Sequence, residues 1–212
     1  MAMCRKGGFS VLLMMLLLGT GFQALAQEEG GQGDMPEEPD WEAPASDLYS
    51  AGDITLNLNL GVNFPLFLVN TGGEPGPVDK LKLGFMGGLG VDYFFTSGWF
   101  VGGEFEGMFM RTISGNTLFM VPIGARLGYQ FVAGPIEIPF SLTVGFNIQS
   151  LLSWNYFGLF VKPQVGVFWR FDLDWSVGIN AGWWWVPQWT SVPSQNMDGH
   201  FLELTLSAHY HF

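Results

Sequence analysis

Glu104 and Glu106 stand two residues apart, with Arg126 and Lys162 further along the chain as cations that neighbouring strands would bring toward them. Residues spaced by two share one face of a strand, so both carboxylates point the same way. Such a pair can serve as acid and base toward a substrate, or it can join the cations in an ion network that fills an interior. The network is the favoured reading, because no substrate cleft is evident and buried charges need partners in any case. Glu137 and Arg170 are expected to face each other near one end of the fold, again in a structural role. His209 and His211 could seat a metal, but the sequence fixes no third ligand, and a hydrogen-bonded pair at the chain end is expected instead. Gly87-Gly88-Leu89-Gly90 lacks the helix that a phosphate-binding loop requires. Cys4 precedes an apolar run rather than a cleavage site, so a processed chain has no thiolate for catalysis, metal binding or a disulfide. Neither an enzyme nor a cofactor is indicated.

The elements that must hold these side chains are strands. Ile54, Leu56, Leu58, Leu60, Val62 and Phe64 alternate with Thr55, Asn57, Asn59, Gly61 and Asn63, the period of two that marks a strand. Seven more segments follow the same rule, at about 81–95, 99–109, 121–131, 136–148, 157–171, 175–185 and 202–212. In the second, Leu81 and Leu83 are placed on the apolar face and Lys82 on the other. The second faces mix glycine, amide, charge and bulky groups, which suits a narrow closed interior where small residues make room for large ones. The expected fold is all-β: an eight-stranded antiparallel up-and-down transmembrane β-barrel over residues 53–212, its apolar face toward lipid and its backbone satisfied by closure.

The rest of the chain fits export. Arg5 and Lys6, the apolar run Val11 to Leu18 and Ala24-Leu25-Ala26 read as a cleaved signal peptide over residues 1–26. Residues 27–52 carry Glu28, Glu29, Asp34, Glu37, Glu38, Asp40, Glu42 and Asp47 without Lys or Arg, and read as a disordered acidic periplasmic tail. Charged residues are 13% of the chain, aromatics 16%, and the net charge is −11, a balance that argues against nucleic acid as a partner. Short gaps at 96–98, 132–135 and 172–174 belong on the periplasmic side; the mostly longer ones at 70–79, 111–117, 150–155 and 186–200 belong outside. Tyr93, Phe95, Trp99, Tyr129, Phe131, Trp169, Phe171, Trp175, Tyr210 and Phe212 then form one aromatic girdle at the short-turn end.

The final strand, with Leu204, Leu206, Ala208, Tyr210 and the terminal Phe212 on one face, resembles the C-terminal segment by which bacterial outer-membrane proteins are recognised for assembly. Together with the strand count it makes residues 53–212 similar to the small barrels of the OmpW, OmpX and OmpA-barrel type. That resemblance implies the bacterial cell outer membrane as location, outer-membrane lipid and the barrel-assembly machinery as partners, and Ala208, Tyr210 and Phe212 as the assembly motif. Met86, Met108, Met110, Met120, Phe160 and Trp184 fall in the outer half of the lumen, above a floor holding Asp92, Glu137 and Arg170. An apolar outer lumen resembles the OmpW-type conduit for small hydrophobic molecules; the same residues can instead plug an interior with little room to spare. The leading expectation is a scaffold or surface-interaction protein with a plugged lumen, exposed Trp154 and Trp189 serving host surface ligands. The alternative is a narrow passive channel for small hydrophobic solutes.

Overall fold

A computed structural model of the chain describes residues 49–72, 81–151, 154–190, 194 and 196–212, except the side chain of Trp154. The signal peptide, the tail up to residue 48 and the Trp154 side chain lie outside the described residues. Eight strands follow in order: β1 (Ile54–Asn70), β2 (Leu81–Thr96), β3 (Trp99–Thr112), β4 (Thr117–Ala133), β5 (Ile136–Leu151), β6 (Trp154–Arg170), β7 (Trp175–Gln188) and β8 (Met197–His211). Each pairs antiparallel with the next, and β8 returns to β1, closing the barrel. Closure leaves no edge, so the ladder donors and acceptors are paired on both sides of every strand.

Burial is inverted relative to a soluble protein. Leu60, Phe85, Ile123 and Leu206 are exposed, whereas Asn57, Glu106, Thr143 and Lys162 are fully buried. Exposed apolar side chains run around all eight strands, far beyond the few hundred Å² that a soluble monomer leaves open. At the short-turn end, ring contacts link Trp99 to Tyr129 at 5.3 Å, Tyr129 to Phe131 at 4.5 Å, Trp175 to Tyr210 at 4.9 Å and Tyr210 to Phe212 at 4.7 Å. This row is the expected girdle.

Glycine makes the interior possible. Gly102 stands between Asp92 on β2 and Arg126 on β4 in one cross-strand row, and a Cβ there would strike the Asp92 carboxylate. Gly128 likewise leaves room for the ring of Phe100. Alternating small and large groups thus fill a taper that eight large side chains could not share.

Four local features depart from the sequence reading. β1 runs on to Asn70, with an irregularity between Pro65 and Phe67 that keeps it paired with β8. A register shift between Leu81 and Gly84 turns Leu81 inward, against the lumen cluster, and leaves Lys82 exposed. β5 and β6 pair as far as Leu151 and Trp154, so the expected loop at 150–155 shrinks to the two residues between them. Tyr49 to Gly52, assigned to the acidic tail, are held at the barrel mouth: Gly98 N donates to Tyr49 O at 3.0 Å and Gly52 N to Phe94 O at 2.8 Å.

Candidate functional site

The lumen is layered. At its middle, Lys162 on β6 reaches Glu104 at 2.8 Å and Glu106 at 2.9 Å on β3, and Glu203 on β8 at 3.6 Å. All four side chains are buried. Gly182, opposite Glu203 on β7, lies 3.5 Å from the Lys162 stem in its Cβ direction, so the lysine crosses β7 where no side chain obstructs it. Trp184 completes this layer: its Nε1 donates to Glu203 at 2.6 Å, and the Lys162 ammonium lies 4.7 Å from its ring centroid, within cation–π range.

Arg126 does not join this group. The sequence reading placed it with Glu104 and Glu106; the structure pairs it with Asp92 at 3.2 Å, and Asn57 Nδ2 donates to the same carboxylate oxygen at 2.6 Å. The reason is register: Glu104 pairs with Gly124, and Arg126 sits two residues lower, opposite Gly102, beyond which lies Asp92. Its guanidinium also lies over the Phe100 ring at 5.2 Å.

Toward the loop end, the six predicted apolar residues Met86, Met108, Met110, Met120, Phe160 and Trp184 form one buried cluster with Leu118, Val186 and Phe201. None is more than 8% exposed, and the Phe160 and Trp184 rings pack tilted against each other at 4.9 Å. The cluster closes the lumen by packing.

The short-turn end holds the Glu137–Arg170 pair, with Arg170 Nε donating to Glu137 at 2.5 Å. Ser176 Oγ donates to the other Glu137 oxygen at 3.0 Å and lies 3.0 Å from His211 Nε2, while His211 Nδ1 lies 3.3 Å from Thr55 Oγ1. The expected bond between His209 and His211 does not form: the ring centroids are 6.4 Å apart, the distance that a spacing of two along a strand imposes. His209 instead stacks on Phe168 at 3.7 Å. Serine, histidine and glutamate meet here, but the serine lies between the other two, so its proton goes to a carboxylate and its lone pair faces the imidazole. In a nucleophilic triad the histidine occupies the middle and removes the serine proton.

Tyr49, Phe94 and Phe100 cap this end, with Val132 against them. Tyr49 lies 4.8 Å from Phe94 and edge-on to His211 at 5.4 Å, with the Arg170 guanidinium 5.4 Å from its ring. Burial foremost, then the Glu137 carboxylate, pushes its phenol above the ordinary tyrosine value. Sequence reasoning did not single out Leu118, Val186 and Phe201 in the apolar cluster, Glu203 in the ionic layer, or Ser176 and Tyr49 at the short-turn end. Glu203 had a signal, an inward position on the strand that closes the barrel, beside an inward glycine on β7.

A family sequence model matches residues 36–210. An uncharacterised protein of Treponema pallidum (strain Nichols) is 34% identical over 124 residues, covering 58% of this chain and 57% of the relative. A second protein of that strain is 24% identical over 161 residues, covering 67% of this chain and 55% of the relative, so the chain spans little more than half the length of the curated relatives it matches. Among solved structures, Neisserial surface protein A matches with a TM-score of 0.54 at 11% identity, covering 76% of this chain and 97% of that one. The outer membrane protein OprG of Pseudomonas aeruginosa matches at 0.51 and 13% identity, covering 77% and 97%. At such identities the likeness is one of fold.

Proposed function

This chain belongs to the family whose sequence model spans residues 36–210, and from that premise, and from a fold shared with outer-membrane barrels, we propose that it is an integral protein of the bacterial outer membrane whose closed barrel serves as a scaffold or surface-interaction module. The observation that carries this reading is the apolar cluster across the lumen, nine side chains from Met86 to Phe201 with no more than 8% exposure. Any solute crossing the barrel must displace it, and below it must pass Lys162 and the three buried carboxylates gathered around it. Trp189, 58% exposed beyond β7, supplies a surface anchor at the loop end, which in this reading faces outward from the cell.

Lipid is the solvent of the outer face, and Ala208, Tyr210 and Phe212 form the assembly signal read by the barrel-insertion machinery. Phe212 suits that role, being 70% exposed at the end of β8. The reading includes no catalytic step, in keeping with the central position of Ser176.

Planar-bilayer conductance of the refolded protein tests it, with and without small hydrophobic solutes. The expected outcome is no steady conductance and no solute response. Stable channel openings that Met108→Glu abolishes would replace it with the conduit reading.

A further inference from the structure

The aromatic side chains that fill the lumen differ in how they are tethered. Phe94, Phe100, Phe160, Phe168, Trp184 and Phe201 sit on strands paired on both sides, so none can leave without unzipping the barrel. Tyr49 precedes β1 and joins no ladder. Its ring is nonetheless 4% exposed, inserted between Phe94, His211 and the Arg170 guanidinium. Its own backbone carbonyl is held by one bond, from Gly98 N.

The backbone at Tyr49 has φ = +65°, the one positive φ at a non-glycine position among the described residues. A bulky residue occupies that left-handed region only when surrounding contacts hold it there. The docked ring supplies those contacts, and without them a non-glycine backbone favours an ordinary extended conformation. Strain in the segment therefore pulls against the packing of the ring. A cleft of about 240 Å³ beside it, lined by Tyr49, Asp53, Thr55, Asp174 and His211, gives the ring space to move.

We propose that Tyr49 is a removable stopper: its ring seals the short-turn mouth, and its withdrawal opens the charged floor of the lumen around Glu137, Arg170, Ser176 and His211 to water. The apolar cluster at the loop end remains shut, so the opened space is a blind chamber. The vacated pocket has apolar walls on one side and a guanidinium on the other, and it accepts a neutral phenol in place of the tyrosine.

The test uses the full refolded chain in detergent micelles, with Cys4→Ser and Ser176→Cys so that one buried thiol reports access. A charged methanethiosulfonate reagent is expected to label it slowly with Tyr49 or Tyr49→Phe in place. Tyr49→Gly, which removes the ring but suits the positive φ, raises the rate at least tenfold, and millimolar p-cresol slows it again. Met108→Ala, at the far end, leaves the rate unchanged. Equal rates with and without the ring overturn the proposal. So does equal acceleration by Met108→Ala, which would mark general loosening. Tyr49→Ala, refolded in parallel and checked by heat-modifiable migration, carries the same test if the glycine variant does not fold.

Discussion

The two ends of the lumen are closed by different means. At the loop end the seal is thick and built into the wall: Met86 on β2, Met108 and Met110 on β3, Leu118 and Met120 on β4, Phe160 on β6, Trp184 and Val186 on β7, and Phe201 on β8. At the short-turn end it is thin, two rings from β2 and β3 and a third contributed by residues before the barrel. Flexible methionines fill irregular gaps between rings, and each side chain is fixed by its strand. The comparison separates closure inherent in the barrel from closure added to it, and each can be broken separately.

Trp184→Ala carries the largest expected effect, because this side chain belongs to both the apolar cluster and the ionic layer. The cavity costs roughly 3 to 5 kcal/mol, and leaving the buried Glu203 carboxylate without its 2.6 Å donor adds about 1 to 3 kcal/mol. Denaturant unfolding in micelles, followed by tryptophan emission, measures it; a loss below about 1 kcal/mol would mean that the two layers are not joined through this residue.

Lys162→Met comes next. It preserves apolar bulk but leaves Glu104, Glu106 and Glu203 without their shared cation, a change worth about 3 to 5 kcal/mol when one partner of a buried ion group is removed. Adding Glu104→Gln and Glu106→Gln to that variant is expected to recover part of the loss. Equal stability of the single and triple variants would show that the carboxylates are compensated from elsewhere.

How much of this was legible depended on whether a contact runs along a strand or across the lumen. Alternation placed Glu104 and Glu106 on one inward face and Leu60 or Phe85 outward, since parity along a strand is a local property. Glu137 with Arg170 also emerged, because they lie on adjacent strands joined by a two-residue connection beyond the chain's midpoint. Arg126 was assigned the wrong partner because barrel stagger displaces each row as it passes from strand to strand, and Gly102 lets a long side chain reach over a whole strand. Lys82 was assigned the wrong face because one register shift inverts everything beyond it. Tyr49 was hidden by its neighbours: an acidic run rich in Gly and Pro reads as unstructured, and nothing local announces that its last aromatic residue has a pocket.

Gly128→Ala tests the thin seal through its wall. The added methyl would lie 2.8 Å from Phe100 Cε2 and 2.5 Å from the Phe140 carbonyl oxygen, so the Phe100 ring must move and the β4–β5 backbone must give as well. Overpacking of this kind costs about 1 to 3 kcal/mol. The expected signature is local: the global unfolding midpoint falls modestly, while access of a water-soluble reagent to Ser176→Cys rises. A midpoint shift without any change in access would mean that Phe100 does not support the stopper.

The smallest effect is invisible at neutral pH and appears only in alkali. A free tyrosine ionises near 10, whereas burial, reinforced by the nearby Glu137 carboxylate, pushes the docked Tyr49 phenol above that value. The docked state therefore retains its proton after the released state has lost one. Docking is at full strength below pH ~10 and weakens above it, by up to about 1.4 kcal/mol for each further pH unit. Subtracting the tyrosinate absorbance titration of Tyr49→Phe from that of the native chain isolates this residue among the five tyrosines. The difference is expected to show no step at the ordinary value and a delayed rise that coincides with faster labelling of Ser176→Cys, compared after correction for the thiol's own ionisation. A simple step near 10 would place the ring in water, and the short-turn seal would then consist of Phe94 and Phe100 alone.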